Sequence, residues 1–582
     1  MTAPADLTCD LLVVGSGASG LSAAVTAAWL GLDVIVAEKD HQIGGTSAWS
    51  GGWMWVPRNP LAVEAGLVED IEAPRRYLKA ELGAQYDAAM VGMFLEQAPR
   101  MISFFREHTR LAFIDGNAIP DFHDTSEAAG TGGRSVCAAP FDGRELGARI
   151  RDLKPPLDLV SPFGMGIASG ADLRHFLNAT RKPASFLHAA KRILTHWRDQ
   201  LLHGRGMHLV AGNALVARLL KSADDLGVRL ITGAPVSTLT QEAGMVTGAR
   251  VDTARGQQII HARRGVVLAC GGFPHDPARK AERFPHAPSG REHHSAAPES
   301  NTGDGLRLGE AVGGEIRADL AHDGAWAPVS LVPRTDGSTG RFPHLIERAK
   351  PGLIAVRKNG RRFANEANSY HDMMGALFAT LEPGEPAEAW LICDHAFQRR
   401  YGLGYARPRP FPLGGVLKSG YLKRGRTLTD LAQACGIDAA ALEATISRFN
   451  ADAREGRDPE FGRGSSAYNR IQGEAEQQPN PCVAPIENGP FYAVKIIAGS
   501  LGTFAGLRTD AHARVLDAAR APIAGLYAVG NDMSSIMGGN YPAGGITLGP
   551  GMTFGFIAAH HASGVPLENN RVTRQQEKPY AV

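Results

Sequence analysis

The chain has 582 residues, of which 44% are hydrophobic and 21% are charged, and its formal net charge is +2. This length exceeds what one hydrophobic core usually serves, so we expect two spatial domains. A charge this near balance argues against a nucleic-acid surface and against a field that steers anionic substrates. We therefore expect no nucleic-acid partner.

The six cysteines are widely spaced, and no CxxC pair offers a metal or dithiol redox site, so we expect buried thiols in a reducing compartment and no bound metal. The N-terminus carries Asp6 and Asp10 without a basic segment, which is not typical of a signal peptide. No stretch reaches the roughly 18 apolar residues of a membrane span. These features predict a cytoplasmic protein without an integral membrane segment, with shallow membrane contact as the alternative.

The first predicted strand leads into a glycine-rich turn. Leu11–Val14 is an apolar run typical of a buried parallel strand, and 15–20 follows as G-x-G-x-x-G before a helix predicted over 21–30. Such glycines permit a tight turn, close approach of the backbone to a pyrophosphate, and close packing of helix on strand. The helix N-terminus then binds phosphate. The predicted cofactor contacts here are Gly15, Gly17, Ala18, Ser19 and Gly20.

The next strand, predicted over 33–37, ends at Glu38. A carboxylate at this position accepts hydrogen bonds from the hydroxyls of an adenosine ribose and disfavours a 2′-phosphate. The adjoining Lys39 is included in the predicted cofactor site. Strand, turn, helix, strand and acid in this order indicate a dinucleotide-binding unit.

A second small-residue loop at 43–52 favours FAD over NAD, because it suits the remaining pyrophosphate and the bulky flavin. Its predicted cofactor contacts are Gly44, Gly45, Thr46, Ser47, Ser50, Gly51 and Gly52. Two later segments, 264–272 and 525–531, read as buried strands that end in glycine. The remaining predicted contacts are Val236, Ala269, Gly271, Gly272, Asn301, Gly303, Asp304, Gly530, Asn531, Gly545, Ile546 and Leu548.

The nucleotide domain is therefore expected to be discontinuous, an α/β Rossmann-type (GR2-like) FAD-binding domain over 1–316 and 489–582 with an inserted α+β catalytic cap domain over 317–488. A second G-x-G-x-x-G unit after a strand is missing from the sequence, which disfavours bound NAD(P)H and leaves the electron acceptor unknown. The segment 154–205 could form a lid or a shallow membrane-contacting surface, and a solvated loop-and-helix segment is the favoured interpretation. The polar tail after Glu568 is expected to fray.

Three stretches carry a family resemblance: 300–305, 359–370 and 538–550. With the flavin motifs they resemble the fumarate reductase/succinate dehydrogenase flavoprotein superfamily, and within it the 3-ketosteroid dehydrogenases, from Asp10 to His561. The residues that bind the dicarboxylate in those enzymes are replaced here: one arginine by Tyr370, a histidine-containing motif by 500–506, and a second arginine by Met537 or its neighbour. The histidine that attaches FAD covalently in the respiratory enzymes falls at about Gly45, which predicts non-covalent FAD.

The resemblance implies two catalytic tyrosines and a glycine amide, present here as Tyr370, Tyr541 and Gly545. Removal of two hydrogens beside a ketone needs a polarised carbonyl, a base for the α-proton and a hydride acceptor at flavin N5. Tyr541 and the Gly545 N–H would bind the developing enolate oxygen, and Tyr370 would be the base. The family's third tyrosine aligns with Phe122, a predicted substrate contact, so either His123 or His371 substitutes or the base is less activated.

These features predict a dehydrogenase that introduces a carbon–carbon double bond beside the ketone of an apolar, steroid-like cyclic substrate. A flavin-dependent enone or enoate reductase acting on a non-steroid substrate is the alternative. A non-catalytic electron-carrier subunit is a third hypothesis, disfavoured by the paired tyrosines and the cap domain. The glycine-rich turn at 544–550 before a helix predicted over 552–560 would place a helix N-terminus near the flavin and favour its reduction.

Overall fold

The computed structural model describes residues 5–568, and the predicted polar tail after Glu568 lies outside them. The strands of this part of the chain are β1 (Leu7–Val14), β2 (Val34–Ala37), β3 (Trp53–Trp55), β4 (Phe113–Asp115), β5 (Ser135–Ala138), β6 (Phe141–Asp142), β7 (His208–Leu209), β8 (Arg229–Ile231), β9 (Val236–Glu242), β10 (Met245–Thr253), β11 (Gly256–Leu268), β12 (His294–Ser295), β13 (Gly324–Trp326), β14 (Val329–Pro333), β15 (Thr339–Pro343), β16 (Leu353–Val356), β17 (Glu388–Cys393), β18 (Leu422–Gly425), β19 (Phe491–Ile497), β20 (Gly499–Thr503), β21 (Arg514–Leu516) and β22 (Pro522–Ala528).

The α-helices of the same residues are α1 (Ala18–Trp29), α2 (Pro60–Glu64), α3 (Glu72–Leu82), α4 (Ala88–His108), α5 (Ala171–Leu177), α6 (Pro183–His203), α7 (Ala211–Asp225), α8 (Pro277–Arg283), α9 (Asp304–Ala311), α10 (Tyr370–Phe378), α11 (His395–Arg400), α12 (Gly414–Lys418), α13 (Leu428–Cys435), α14 (Ala439–Ala453), α15 (Ala467–Gln472) and α16 (Leu548–Ser563).

The first sheet is a Rossmann-type sheet built from both ends of the chain. Its order is β21-β22-β11-β1-β2-β8, with β10 and β9 attached beside β11. The pairs β1 with β2, β1 with β11, β2 with β8 and β11 with β22 are parallel. The central strand β1 is buried over Leu11–Val14, which explains its unbroken apolar run. The predicted discontinuous α/β fold is confirmed.

The register of this sheet brings distant segments to one edge. Val14 lies opposite Ala37 and Leu268, and Leu268 lies opposite Ala528. The segments that follow these four residues therefore leave the sheet side by side at its carboxyl edge. In an open α/β sheet this edge is where ligands bind.

The second sheet lies in the inserted part of the chain. Its order is β15-β14-β19-β17-β16, with β18 paired to β19 and every pair antiparallel. Two apolar clusters flank it, one of which includes residues of the helices α13 and α14. Because β19 ends at Ile497, the second sheet extends beyond residue 488, and the domain limits of the sequence analysis stay a prediction.

The segment 154–205 folds into loops and the two helices α5 and α6, which pack on each other. Within residues 5–568, the helices lack the combination of length and apolarity that a bilayer crossing requires. The same residues contain no group of three or more histidine, cysteine, aspartate or glutamate side chains placed to hold a metal ion.

Candidate active site

A cavity of about 930 Å³ opens at the carboxyl edge of the first sheet and reaches the cap residues. It brings together most of the residues predicted to contact the cofactor. Those that line it are Gly15, Gly17, Ala18, Ser19, Glu38, Lys39, Gly45, Thr46, Ser47, Ser50, Gly51, Gly52, Val236, Ala269, Gly271, Asn301, Asp304, Gly530, Asn531, Gly545 and Leu548.

The N-terminus of α1 fits a pyrophosphate. Gly17 is its N-cap residue and has no side chain to cap the helix, and the Ser47 hydroxyl accepts from the Ala18 N–H at 3.0 Å. Gly15 has φ +109°, and a Cβ on it would lie 2.2 Å from the Ala269 carbonyl oxygen. A Cβ on Gly17, by contrast, would have only the Ser47 hydroxyl within 4 Å, at 3.6 Å. The turn is therefore tight against the sheet and open toward the cavity, as a phosphate cradle requires.

Glu38 lies at the end of β2, where its carboxylate is held by the turn. It accepts hydrogen bonds from the Ser16 N–H at 2.8 Å and the Ser16 hydroxyl at 2.6 Å. Burial raises the pKa of Glu38. The neighbouring Lys39 donates to Thr302 at 2.6 Å and to Asp304 at 2.7 Å, which fastens the loop before α9 to the cavity edge. These contacts suit the adenosine end of FAD.

Sequence reasoning missed Asp532, which braces the loop after β11. Its carboxylate accepts from the Gly272 N–H at 2.9 Å and from the Cys270 N–H. Burial raises the pKa of Asp532 to about 6. The available signal was an acid directly after the Gly530 and Asn531 pair, next to predicted cofactor contacts.

Five predicted cofactor residues lie behind the cavity wall instead of lining it. At Gly20, an added Cβ would lie 2.2 Å from the Gly15 carbonyl oxygen. At Gly44 it would lie 2.9 Å from the Ala48 side chain, and at Gly272 it would lie 2.1 Å from the Thr503 side chain. These glycines therefore permit close packing of the segments that form the wall. The other two are Gly303, the N-cap of α9, and the buried Ile546.

The structure brings the predicted catalytic residues to the far end of the same cavity, where Tyr370, Tyr541, Gly545 and Phe122 all line it. The rings of Tyr370 and Tyr541 meet edge to face with centroids 5.0 Å apart. Phe122 lies parallel to Tyr541 at 5.8 Å and edge-on to Tyr370 at 6.1 Å. Tyr370 is the first residue of α10, a helix capped by the Ser369 hydroxyl.

A third tyrosine, Tyr468, joins this group and was missed by the sequence analysis. It is buried, lines the cavity, and its ring centroid lies 4.3 Å from that of Phe122. It comes from α15 in the cap, nearly a hundred residues after Tyr370 and outside any motif, so no sequence signal singled it out. Phe122, which aligns with the family's third tyrosine, therefore lies beside a tyrosine that comes from another element, Tyr468.

Asn469 fixes α15 against the chain that enters α10. Its side-chain N–H groups donate to the Ala367 carbonyl and to the Asn368 side chain, each at 3.0 Å. Its side-chain oxygen accepts from Asn365 at 2.9 Å. The Ala467 N–H adds a bond of 2.7 Å to Asp124, two residues after Phe122. Tyr468 is thus positioned by fixed contacts relative to both Phe122 and Tyr370.

Neither of the two histidines considered as a substitute lines the cavity. His123 lies between Glu81 at 2.5 Å and Asp372 at 2.8 Å. Burial alone would lower the pKa of His123, but these two carboxylates raise it to about 10. Burial lowers the pKa of His371 to about 3, and its Nδ1 accepts from the Trp326 N–H at 3.2 Å. His123 is held as a cation in an ion pair, and His371 as a neutral ring.

Burial raises the pKa of both tyrosines predicted to be catalytic, that of Tyr541 to about 12 and that of Tyr370 well above its ordinary value of 10. The positive charge of the fully buried Arg348 opposes this rise at Tyr370 and at Tyr468. The Arg348 guanidinium donates to the carbonyl oxygens of His344 and Glu366, each at 2.7 Å, and Asn368 at 3.2 Å. Because none of these acceptors is a carboxylate, its charge is not cancelled by them.

The R-F-x-N-E part of the 359–370 motif has a structural role. Arg362 donates to Glu366 at 2.8 Å and to Asp458 at 2.7 Å, and Arg463 donates to Glu366 at 2.9 Å. The side chains of Arg362 and Glu366 are completely buried. This ion-pair network holds the loop that presents Tyr370.

The cavity also has cationic residues toward its outer part: Arg174, Lys350 and Arg470. Lys350 donates to the Gly473 carbonyl at 2.6 Å, and burial lowers its pKa. Arg174 and Arg470 are exposed. Cationic side chains therefore line this cavity, although the arginines of the dicarboxylate enzymes are replaced.

Known proteins match this chain over nearly its whole length. The model of the FAD binding domain family matches residues 10–548. The 4-oxocyclohex-2-ene-1-carboxylate 5-dehydrogenase of Sinomonas cyclohexanicum is 40% identical over 95% of this chain and 93% of its own. The 3-oxosteroid 1-dehydrogenase of Mycolicibacterium smegmatis is 36% identical over 94% and 96%. The crystal structure of the 3-ketosteroid Δ1-dehydrogenase of Sterolibacterium denitrificans superposes with a TM-score of 0.89, at 34% identity over 96% of this chain and 99% of the other.

The chain is a 3-ketosteroid dehydrogenase-like member of the fumarate reductase/succinate dehydrogenase flavoprotein superfamily. It is an FAD-dependent oxidoreductase acting on CH–CH groups, and the cradle at α1 fits the pyrophosphate of non-covalent FAD. Its reaction is the dehydrogenation of a carbon–carbon bond next to a ketone in a small molecule. The predicted family, cofactor and enzyme class are confirmed.

Proposed function

We propose that the enzyme introduces the double bond α,β to the ketone of an apolar, steroid-like cyclic substrate. The observation that carries this proposal is the convergence of Tyr370, Tyr541 and Gly545 at one end of the cavity whose other end is the FAD cradle. The electron acceptor that reoxidises the enzyme is outside the proposal.

In the proposed reaction the Tyr541 hydroxyl and the Gly545 N–H donate hydrogen bonds to the ketone oxygen. Their stabilisation of the developing enolate makes the α-proton acidic. Tyr370 takes that proton as the general base. FAD, when bound, supplies the acceptor for the β-hydride. The α-proton and the β-hydride together account for the two hydrogens lost when the double bond forms.

Tyr370 must lose its own proton to serve as a base, and the buried site opposes this. We propose that two groups of this chain compensate. Arg348 stabilises the phenolate by its positive charge, and Tyr468 supplies the hydroxyl that the missing third tyrosine would provide. The fixed contacts of Arg348 and Asn469 to the chain before Tyr370 support this assignment.

The outer lining of the cavity supports an extended apolar substrate body. Its apolar residues are Leu157, Leu173, Leu177, Leu345, Ile346 and Ile471. A second candidate is a single-ring ketone bearing a carboxylate, because Arg174 and Arg470 line the same region and the relative at 40% identity is named for such a substrate.

The proposal is tested by anaerobic bleaching of the bound flavin against a saturated-ring 3-ketosteroid and against 4-oxocyclohexanecarboxylate. We expect the steroid to bleach it at the lower concentration. If only the carboxylate bleaches it, and Arg470→Gln raises the KM for that compound, the second candidate is correct. If neither bleaches it, the proposed substrate class is wrong.

The catalytic assignment is tested by Tyr370→Phe and Tyr541→Phe, each of which should lower kcat by about 10³-fold while the flavin stays bound. Tyr492→Phe is the matched control, because this tyrosine is buried in β19 and bonds His395 instead of lining the cavity. Wild-type kcat in either active-site variant would rule out its proposed role.

A further inference from the structure

Three cations line the outer part of the cavity without a carboxylate to neutralise them. Arg174 comes from α5, Arg470 from α15, and Lys350 from the segment before β16. The side-chain bonds of Lys350 and Arg470 go to carbonyl oxygens, those of Gly473 at 2.6 Å and Gly464 at 3.3 Å. In the part of the chain that the structure describes, none of the three forms an ion pair. They are hereafter the outer cations.

The acids nearest in the chain to Arg470 are already paired with other cations. Glu474 lines the cavity and pairs with Arg400 at 2.9 Å. Glu476 pairs with Lys182 and, at 3.6 Å, with Arg181. These two carboxylates are therefore not free to pair with the outer cations.

Lys350 carries its charge in a half-buried position. Burial lowers the pKa of its ammonium group, Glu474 opposes this, and the positive charges of Arg400 and Arg174 lower it further. Burial of a charge costs free energy unless an opposite charge or hydrogen bonds compensate for it. The Gly473 carbonyl takes one of the three N–H donors of the ammonium group. The other two are available to a ligand in the cavity.

The backbone of Lys350 is held in place. Its N–H donates to the Glu347 carbonyl at 3.0 Å, and its carbonyl accepts from Arg463 at 2.7 Å. Arg463 is completely buried and also pairs with Glu366, in the ion-pair network that holds the loop before Tyr370. The position of Lys350 in the cavity wall is therefore fixed relative to the tyrosine end.

Apolar side chains from the same elements accompany the outer cations. Leu173 and Leu177 lie on either side of Arg174 in the sequence of α5, and Ile471 follows Arg470 in α15. All of these residues line the cavity. An apolar body that extends from the tyrosine end would therefore bring its remote end to the outer cations. A carboxylate on that end matches the ammonium group and the planar guanidinium groups.

We propose that the outer cations bind a carboxylate at the end of the substrate remote from the ketone, so that the preferred substrate is a steroid-like ketone with an acidic side chain. This inference rests on the proposed function, because it takes the ketone to lie at Tyr541 and Gly545. It differs from the single-ring candidate, because one extended molecule contacts both the apolar lining and the outer cations.

The test compares a 3-oxocholanoic acid with its methyl ester as substrates of the FAD-loaded full chain. The two steroids share the ketone and the rings, and the ester lacks the charge. We expect the KM of the wild type to be about tenfold lower for the acid, because hydrogen bonds to charged groups contribute at least this factor. Added salt should reduce the preference.

Two variants remove one outer cation each. Lys350→Met should raise the KM for the acid about tenfold, and Arg174→Gln, at an exposed position, should raise it about threefold. The KM for the ester and kcat for both steroids should stay unchanged. Equal KM values for the two steroids in the wild type would overturn the inference, as would an unchanged KM for the acid in both variants.

Lys280→Met is the matched control. Lys280 is also a buried lysine, and its ammonium group donates to the His293 carbonyl at 3.0 Å, but it does not line the cavity. This variant should keep the preference of the wild type for the acid. A loss of the preference in Lys280→Met as large as that in Lys350→Met would contradict a role of the cavity charge.

Equilibrium dialysis without an electron acceptor separates this inference from the proposed function. If neither steroid is oxidised, but the acid binds more tightly than the ester and Lys350→Met removes the difference, the carboxylate contact stands and the proposed function is wrong. If both steroids are oxidised with equal KM, the proposed function stands and the carboxylate contact is wrong. If neither steroid binds, both are wrong.

Discussion

The two ends of the cavity are built in different ways. The nucleotide end consists mainly of backbone: glycines at 15–20 and 44–52 and the N-terminus of α1. The aromatic end consists of side chains from separate elements, namely Phe122 from a loop, Tyr370 from α10, Tyr468 from α15 and Tyr541 from the loop before α16. The first end is a local structure, whereas the second exists only after the cap has packed on the first domain.

This difference predicts how each end fails. A backbone cradle is lost when a glycine that faces the cavity acquires a side chain, because that side chain takes the space of the phosphate. A side-chain cluster weakens in steps, because each hydroxyl or charge contributes a separate part of the stabilisation.

The largest effect is expected from Gly17→Val at the nucleotide end. Gly17 has φ −65°, which a valine adopts, so the fold should persist while the side chain fills the place of a phosphate. We expect purified protein without flavin absorbance and with activity at background. Gly92→Ala, in α4 with nothing within 4 Å of its added Cβ, is the control. A flavin-replete Gly17→Val protein would contradict the cradle.

Glu366→Gln tests the ion-pair network that holds the aromatic end. Burial alone would raise the pKa of Glu366, but Arg362 and Arg463 lower it to about 2, below its ordinary 4.5. The folded pKa is depressed, so the stabilisation is present above about pH 4.5 and is lost as pH falls toward 2. Its size is on the order of 3 kcal/mol.

Chemical denaturation at pH 7 and pH 3 measures this stabilisation. The difference in unfolding free energy between the wild type and Glu366→Gln should be large at pH 7 and should shrink at pH 3. Glu460→Gln is the control, because Glu460 pairs with the same Arg362 at 3.7 Å but its side chain is 45% exposed. An equal difference at both pH values would show that the carboxylate charge is not the cause.

Arg348→Met should move the pH profile of the reaction. A base must be deprotonated, and burial raises the pKa of Tyr370, so kcat/KM of the wild type should rise with pH. Loss of the positive charge should raise the pKa of Tyr370 and so shift this rise to higher pH. At neutral pH, kcat/KM should fall roughly tenfold for each unit by which that pKa rises. Arg348→Lys keeps the charge and should shift the profile less. Identical pH profiles for Arg348→Met and Arg348→Lys would indicate that Arg348 acts only through packing.

The smallest effect is expected from Tyr468→Phe, with kcat about tenfold lower and flavin binding unchanged. Since the rings at 122 and 468 lie 4.3 Å apart, Phe122→Tyr should restore a hydroxyl to the same place. We expect the double variant Tyr468→Phe with Phe122→Tyr to recover much of the lost rate. A normal kcat in Tyr468→Phe, or a lowered kcat that Phe122→Tyr does not restore, would remove the hydroxyl role.

The sequence predicted the nucleotide end well because its signals are local. The apolar strand, Gly15, Gly17 and Glu38 follow one another within thirty residues, and each has a backbone or hydrogen-bonding reason for its position. The family resemblance then indicated Tyr370, Tyr541 and Gly545. Tyr468, Arg348 and Asp532 were not predicted, because their roles arise from packing between distant segments and their types are common elsewhere in the chain.

The parallel pairing of β11 with β22 has a consequence for biosynthesis. The cavity wall includes Gly530, Asn531 and Leu548 together with Gly15 and Gly17, which are synthesised more than five hundred residues earlier. A nascent chain that has made only the first five hundred residues lacks this wall and the last parallel strand of the sheet. Stable loading of the flavin must therefore await the synthesis of residues 530–548, and chains truncated before residue 530 should emerge from the ribosome colourless.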